Sequence, residues 1–264
     1  MAVNHEANAR FLDGVDAWIA SLGKLRDVVR QQVLAAQLTE VLAQRHPVGA
    51  RVLDVGAGQG TQALLLARAG HEVTGLDISA DLLARFESAL STEPPEVQAR
   101  VRLVHGAGEA VPDIASGAFD VIVCHGVLPY LDDITPMLGA LSRVAARRAT
   151  LSLLVRNGLA MAMRDGLQGH WSDASAAFGS LDYVNRLGLT ARAHTPEQLD
   201  HALHPYGWRR ARWYGVRVFT DHRDQEPAPP PEELARLLAA EQEAGRRDPY
   251  RHVAALLHLV YTRP

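Results

Sequence analysis

A glycine-rich stretch, Val52 to Gly60, has the composition of a loop that binds a nucleoside ligand. It reads VLDVGAGQG and is followed by an Ala/Leu-rich segment, Thr61 to Ala69, so the pattern predicts a strand, a tight turn and a helix. Glycines let the backbone turn sharply and approach a ligand without a Cβ atom. The last glycine comes two residues after the one before it, which disfavours a dinucleotide site and a dehydrogenase. The predicted ligand-binding loop comprises Asp54, Gly56, Ala57, Gly58 and Gly60.

An acidic residue, Asp77, ends the second predicted strand, His71 to Leu76, about twenty residues after the loop. A carboxylate at this position can accept hydrogen bonds from both hydroxyl groups of a ribose. An alternative role, capping the helix that starts near Asp81, suits Ser79 better. We therefore predict that Asp77 and the adjacent Ile78 contact the ligand.

Two further candidates follow the third and fourth predicted strands, Val101 to His105 and Phe119 to Cys124. Residues at the carboxyl ends of strands in an open α/β sheet face the crevice in which ligands bind. His125 could contact a cofactor, orient a substrate or act as a base, or it could be a structural histidine. Glu109, in the loop after the third predicted strand, is a candidate at the same crevice, although it could also be a solvated surface acid.

The order of predicted elements positions these residues on one sheet. Strands alternate with helices, which predicts an α/β fold with a Rossmann-like, doubly wound, mostly parallel sheet of seven strands. The predicted organisation is a single domain, 1–264. Its parts are N-terminal helices (11–46), a ligand-binding core (47–155), a helical lid insertion (156–205), and C-terminal strands with a helix (206–264). The two C-terminal strands are predicted at Trp208 to Phe219 and at His252 to Thr262.

Composition limits the remaining classes. The chain has 264 residues, a formal net charge of −3 and one cysteine, Cys124, so an intrachain disulfide and a cysteine-rich zinc site are excluded. We predict no metal. No apolar run follows a basic start within residues 1–10, and no segment has the apolar length of a membrane helix. These features predict a cytoplasmic protein with no membrane partner, and they leave the oligomeric state open.

Several short motifs together give a narrower resemblance. They are Leu25-Arg26, a third-strand loop with Ala107 where many related enzymes carry Asp, His125-Gly126-Val127-Leu128, Gly215-Val216-Arg217-Val218-Phe219, and Asp248-Pro249-Tyr250. From about Leu22 to the C-terminus the chain resembles the bacterial tRNA 5-carboxymethoxyuridine methyltransferase family, within the class I S-adenosylmethionine-dependent methyltransferases. The resemblance implies the class I methyltransferase fold and S-adenosylmethionine as the cofactor.

The resemblance also implies roles for individual residues. Arg26 would pair with the methionine carboxylate of the cofactor, because a planar guanidinium suits a bidentate contact. The full set of implied cofactor contacts is Arg26, Gly56, Ala57, Asp77, Gly108, Glu109 and His125.

The implied reaction is transfer of a methyl group to the carboxylate of a modified wobble uridine in tRNA. A carboxylate is already ionised near neutral pH, so the main task is to align oxygen, methyl carbon and sulfur. Arg217 and Arg156, near predicted strand ends, are candidates to hold an anionic acceptor, and Tyr250 could add a hydroxyl group. Their alternatives are surface charges and a core aromatic residue. The catalytic candidates are His125, Arg217 and Tyr250.

The charge distribution leaves the acceptor open. Phosphate contacts dominate nucleic-acid affinity, yet the net charge is not basic. Basic residues cluster locally at Arg209, Arg210, Arg212 and Arg217, and at Arg246, Arg247 and Arg251. If they converge on the cofactor site, tRNA is favoured, and if they scatter, a small carboxylic acid is favoured. The alternatives are thus a small-molecule (carboxylate, O- or N-) methyltransferase and a non-catalytic cofactor-binding protein.

Overall fold

The computed structural model describes residues 11–20, 22–114, 119–223 and 226–264. Its strands are β1 (Arg51–Val55), β2 (Glu72–Asp77), β3 (Val101–His105), β4 (Phe119–His125), β5 (Ala145–Arg156), β6 (Asp182–Val184), β7 (Thr190–Arg192), β8 (Arg209–Val216) and β9 (Leu256–Thr262).

The helices flank the strands in sequence. They are α1 (Val15–Ala20), α2 (Leu25–Arg45), α3 (Thr61–Arg68), α4 (Ala80–Ser91), α5 (Pro95–Gln98), α6 (Val111–Ile114), α7 (Thr135–Val144), α8 (Met163–Leu167), α9 (Trp171–Ala177), α10 (Pro196–Leu203) and α11 (Pro231–Ala244). The predicted N-terminal pair of helices corresponds to α1 and α2. None of the described helices has the length and apolar character needed to cross a bilayer.

Seven strands form one sheet in the order β3-β2-β1-β4-β5-β9-β8. The β1 to β5 pairings are parallel, whereas β9 runs antiparallel to both β5 and β8. The strand order therefore reverses between β1 and β4, and such a reversal opens a crevice at the carboxyl edge of the sheet. The predicted doubly wound, mostly parallel seven-stranded sheet is confirmed.

Both faces of the central strands are buried, which explains their nearly continuous apolar sequences. Along β4, Val121 and Val123 pack into the core on one face, while Ile122 and Cys124 pack into the core on the other. The long helix α2 packs through Leu25 and other apolar residues against the β5 and β8 side of the sheet. This packing fixes the positions of the strand ends that surround the crevice.

The insertion between β5 and β8 contains the short helices α8 and α9, in agreement with the predicted helical lid. It also contains a hairpin, β6 and β7, which the sequence analysis did not predict. Three-residue strands are too short to show a clear alternation of apolar and polar residues. The turn is instead stabilised by Asn185, whose Oδ1 accepts hydrogen bonds from the backbone N–H groups of Leu187 and Leu189 (2.8 and 3.1 Å).

Two predicted strand boundaries were wrong. The strand predicted to reach Phe219 ends at Val216, because Arg217 has a φ of 60° and turns the chain out of the sheet. The strand predicted to begin at His252 begins at Leu256, because Tyr250–Val253 forms a 3-10 helix. Both corrections concern the segment that completes the crevice wall.

Candidate active site

A cavity of about 740 Å³ lies at the carboxyl edge of the sheet, under the insertion. Its volume falls within the range of about 300–1,000 Å³ typical of small-molecule sites. The structure brings most of the predicted site residues into its wall: Arg26, Asp54, Gly56, Ala57, Gly58, Asp77, Ile78, Gly108, His125, Arg156 and Arg217.

The glycine loop closes one side of the cavity. The N–H groups of Gly56 and Ala57 both donate to the carbonyl of Leu76 (2.8 and 3.0 Å), which ties the loop to the end of β2. Gly56 has a φ of +73°, and a Cβ atom there would lie 2.3 Å from Val127 Cγ2. A larger residue therefore cannot replace Gly56 without displacing the loop.

Gly60 serves the turn rather than the cavity. It caps the N-terminus of α3 with a φ of +87°, and a Cβ atom there would lie 2.2 Å from the Phe86 ring. Gly60 does not line the cavity, so the structure does not support its prediction as a ligand contact. Its glycine is required by backbone conformation and by the close approach of Phe86.

The side chain of Asp77 holds the glycine loop in place through hydrogen bonds. Its Oδ2 accepts a hydrogen bond from Gly58 N and its Oδ1 accepts one from Ser79 N, each 2.8 Å long. Burial raises the pKa of Asp77, whereas these backbone donors lower it. Helix α4 is capped by Ser79, whose Oγ accepts from Leu82 N (3.3 Å), as the sequence predicted. The carboxylate of Asp77 thus remains in the cavity wall with acceptor positions for a ligand.

Asp54 is the second acid of this wall. Its side chain is buried, and its carboxyl group has no hydrogen-bond partner among the residues that the structure describes. Burial, and then the charge of Asp77, raise the pKa of Asp54 to about 7. Two neighbouring carboxyl groups that are buried in the cavity wall favour a ligand group with a positive charge.

Three arginines of the cavity wall surround a single carboxylate, that of Asp221. Asp221 accepts from Arg26 Nη2 and from Arg156 Nη1, both at 2.8 Å, and lies 3.2 Å from Arg217 Nη2. All four side chains are at most 11% exposed. This arginine cluster, defined by Arg26, Arg156, Arg217 and Asp221, carries three positive charges and one negative charge.

The charges within the arginine cluster shift one another's pKa values. Burial alone would raise the pKa of Asp221, but the guanidinium groups, Arg217 first, hold it well below its usual range. The pKa of Arg217 is lowered to about 9, first by burial and then by the charges of Arg26 and Arg156, while the charge of Asp221 opposes this shift. The Nε atoms of Arg156 and Arg217 are buried without a hydrogen-bond partner in the described part of the chain. The cluster is therefore short of negative charge.

A buried acid on α11 holds the loop that carries Arg217 and Asp221. The carboxylate of Glu241 accepts hydrogen bonds from Val218 N (2.7 Å), Phe219 N (3.1 Å) and Thr220 Oγ1 (2.7 Å). The turn after β8 is thus fixed by one side chain that sequence analysis did not identify. Asp221 was also missed; its only local signal is its position four residues after Arg217.

We expect Glu241→Gln to destabilise the protein. Two backbone N–H groups and one hydroxyl group would then share a single, weaker acceptor oxygen, because an amide has only one. Hydrogen bonds to a charged group contribute about 1.5–3 kcal/mol, which corresponds to a fall in Tm of roughly 4–8 °C in a chain of this size. Differential scanning calorimetry measures the shift. Glu243→Gln is the control, since Glu243 is exposed on the same helix and forms an ion pair with the exposed Arg247. An equal Tm for both variants would contradict the role of Glu241.

His125 reaches the cavity from the end of β4. Its Nε2 lies 2.8 Å from the Oγ atom of Ser152 on the neighbouring strand β5. Burial, then His258 and Arg30, hold the pKa of His125 well below its usual value. His125 is therefore neutral near pH 7.

Two other predicted residues lie outside the cavity wall, which corrects their predicted contacts. Tyr250 is 51% exposed on the Tyr250–Val253 3-10 helix, because the chain enters β9 only at Leu256. Glu109 lies in a 3-10 turn, Gly108–Ala110, where Gly108 rather than Glu109 faces the cavity.

The basic residues that were predicted to discriminate between acceptors do not converge on the cavity. Arg209 begins β8 at the opposite end of the sheet, in register with Thr262, and only Arg217 of the seven arginines lines the cavity. Five of the others form ion pairs: Arg210 with Asp200, Arg212 and Arg246 with Glu40, Arg247 with Glu243, and Arg251 with Asp248.

Comparison with known proteins identifies the core. Residues 53–153, which span the glycine loop, Asp77 and His125, match the model of the methyltransferase domain family. The chain is a class I S-adenosylmethionine-dependent methyltransferase. S-adenosylmethionine is its cofactor. The comparisons thus favour an enzyme over a non-catalytic cofactor-binding protein.

Individual relatives support this assignment. The methyltransferase is 28% identical over 242 residues to the tRNA 5-carboxymethoxyuridine methyltransferase of Escherichia coli K12, covering 92% of this chain and 91% of the relative. It is 36% identical over 109 residues to the ubiquinone biosynthesis O-methyltransferase of Xanthomonas axonopodis, covering 39% and 42% of the two chains. The fold is similar to that of magnesium protoporphyrin IX methyltransferase from Synechocystis PCC 6803 with bound SAH, with a TM-score of 0.63, 18% identity and 98% coverage of both chains.

Proposed function

We propose that the cavity binds the ammonium and carboxylate groups on the α-carbon of S-adenosylmethionine's methionine part, with the ribose at Asp77. The buried, unpaired carboxyl group of Asp54 fits the ammonium group, and Arg26 fits the methionine carboxylate. Asp77 keeps acceptor capacity for ribose hydroxyls while it holds Gly58 N. Gly56 and Gly58 line the cavity, so the nucleoside could approach their backbone without a Cβ atom in the way.

We further propose that the methyl acceptor is a carboxylate bound by Arg156 and Arg217. The observation that carries this proposal is the charge of the arginine cluster: three guanidinium groups share the single carboxylate of Asp221. The methionine carboxylate would supply a second negative charge and an acceptor carboxylate the third. The cluster would then be neutral, which relieves the repulsion from Arg26 and Arg156 that adds to the effect of burial on the pKa of Arg217.

The chain's residues need only bind and orient for this reaction. When bound, S-adenosylmethionine supplies an electrophilic methyl group on a sulfonium centre. The acceptor carboxylate is ionised near neutral pH, so no proton has to be removed. Arg156 and Arg217 would keep it ionised and fix the direction of its oxygen atoms, since a guanidinium binds a carboxylate in a defined plane. The product ester is neutral and loses this attraction, which favours its release.

The relative from Escherichia coli suggests the acceptor. We propose that the carboxylate belongs to 5-carboxymethoxyuridine at the wobble position of tRNA, because that relative matches this chain over nearly its whole length. A small carboxylic acid is the second candidate, favoured by the scattered and ion-paired surface arginines. The insertion also contributes acids, among them Asp165 and Asp173, to the cavity wall.

The decisive experiment is a methyl-transfer assay with labelled S-adenosylmethionine. Its substrates are tRNA carrying 5-carboxymethoxyuridine, the same tRNA without that modification, and a panel of small carboxylic acids. We expect label only in the modified tRNA, in a form that mild alkali releases as methanol, as an ester requires. Labelled small acids with unlabelled tRNA would support the second candidate. Label that resists alkali would contradict carboxylate methylation altogether.

The raised pKa of Asp54 gives a prediction about cofactor binding and pH. Near pH 6 the free protein holds Asp54 protonated, so binding an ammonium group must release a proton. We expect S-adenosylmethionine affinity to rise from pH 6 to pH 8, with proton release on binding that is largest below pH 7. Calorimetry in buffers of different ionisation enthalpy measures the released protons. Asp54→Asn should bind more weakly and lose this pH dependence; an unchanged dependence would contradict the assignment.

A further inference from the structure

A buried chain of polar side chains connects His125 to the backbone of β8. His125 Nε2 lies 2.8 Å from Ser152 Oγ, and the same Oγ lies 2.8 Å from His258 Nε2. His258 Nδ1 lies 2.9 Å from Gln37 Oε1, and Gln37 Nε2 donates to the carbonyl of Gly215 (3.1 Å). This series of hydrogen bonds links α2 to β4 through β9 and β5.

The direction of every hydrogen bond in this series of side chains follows from its last acceptor, the carbonyl group of Gly215. A backbone carbonyl can only accept, so the amide group of Gln37 must present its NH₂ to Gly215 and its oxygen to His258. An amide oxygen can only accept, so His258 Nδ1 carries a proton. Burial lowers the pKa of His258 to about 3, so its Nε2 is a bare acceptor.

The remaining two links are then determined. The single hydroxyl proton of Ser152 must point to His258 Nε2, because that nitrogen has none to give. The Oγ atom of Ser152 can therefore only accept from His125, whose Nε2 must carry the proton. The other ring nitrogen, Nδ1, is buried and has no hydrogen-bond partner within the described residues.

We propose that Gln37, His258 and Ser152 are positioning residues that lock His125 in its Nε2–H tautomer and thereby reserve Nδ1 as a hydrogen-bond acceptor for the bound cofactor. His125 ends β4, beside β1, which carries Asp54, so both acceptors lie at the same edge of the sheet. The donor that fits them is the ammonium group of the methionine part. An acceptor carboxylate would be repelled by the Nδ1 lone pair and is thereby directed to the arginine cluster.

The inference depends on the methyltransferase activity and not on the identity of the acceptor. It assigns His125 no role as a general base, because the Nδ1 lone pair is used for binding.

The test combines nitrogen NMR of the full-length protein with cofactor titration. In protein labelled with ¹⁵N-histidine, His125→Gln identifies the resonances of His125. We expect wild-type His125 to show an unprotonated Nδ1 and a protonated Nε2. Ser152→Ala should give a mixture of tautomers and weaken S-adenosylmethionine binding by about tenfold, the effect of one misdirected hydrogen bond. Ser152→Thr should restore both, since it keeps the hydroxyl group.

Ser142→Ala is the matched control. Ser142 is another buried serine, and its Oγ also accepts from a ring nitrogen, Trp208 Nε1 (2.9 Å), away from the cavity. The Ser142→Ala variant should have a lower Tm, with the tautomer of His125 and the affinity for the cofactor unchanged. Gln37→Leu, three hydrogen bonds from His125, provides a second variant if Ser152→Ala fails to fold. A wild-type His125 protonated at Nδ1, or a tautomer and affinity unchanged in the chain variants, would overturn the proposal.

Discussion

Replacing Asp77 with alanine is expected to weaken S-adenosylmethionine binding by about a hundredfold or more. Two charge-assisted hydrogen bonds to the ribose, each worth about 1.5–3 kcal/mol, would be lost together. The loop would also lose its anchor, because Asp77 Oδ2 accepts from Gly58 N. Calorimetric titration of the purified variant with S-adenosylmethionine measures the change.

Controls separate ribose binding from loop anchoring at Asp77. Asp77→Asn keeps the shape and an acceptor oxygen but loses the charge, so its affinity should lie between those of the wild type and the alanine variant. Asp81→Ala removes a nearby exposed acid in the first turn of α4 and should leave affinity unchanged. Wild-type affinity in a folded Asp77→Ala variant would exclude Asp77 from the cofactor site.

The sequence predicted this side of the cavity because its signals are local. The turn of the loop is encoded by Gly56, Gly58 and Gly60 at alternate positions, and Asp77 ends a strand whose direction fixes where its side chain faces. Ser79 is a helix cap with its partner three residues away. Such patterns are visible in short stretches of sequence, since neighbouring residues determine them.

The arginine side of the cavity could be predicted only in part, because its contacts join distant parts of the chain. Arg26 and Asp221 are 195 residues apart, and Gln37 and His258 are 221 residues apart. No periodicity links such pairs, and a buried acid such as Glu241 has the same local sequence signal as an exposed one. Arg156 and Arg217 were found from their positions near strand ends, but their shared carboxylate was not.

The shared carboxylate makes the three arginines distinguishable by experiment. Each guanidinium group of the cluster contacts Asp221, yet the proposal assigns Arg26 to the cofactor and Arg156 and Arg217 to the acceptor. Removing one arginine leaves Asp221 paired with the other two, so the buried acid is never left without a cation. The variants should therefore fold while their binding properties diverge.

Arg217→Met is expected to lower kcat/KM for the carboxylate acceptor by about thirtyfold or more, while S-adenosylmethionine affinity changes little. Truncating one partner of a buried charged contact costs about 2–5 kcal/mol, and that contact would be made only with the acceptor. Arg26→Met should show the opposite pattern, with the larger loss in cofactor affinity. Initial rates at saturating cofactor, combined with calorimetric titration of each variant, measure both effects.

The control for Arg217 lies on β8, the strand that precedes it. Arg212→Met removes an exposed arginine that pairs with Glu40 far from the cavity, so neither parameter should change. A loss of cofactor affinity in Arg217→Met equal to that in Arg26→Met would mean that the cluster binds one anion and not two. The acceptor carboxylate would then need another partner in the cavity wall, and the charge argument for carboxylate methylation would fail.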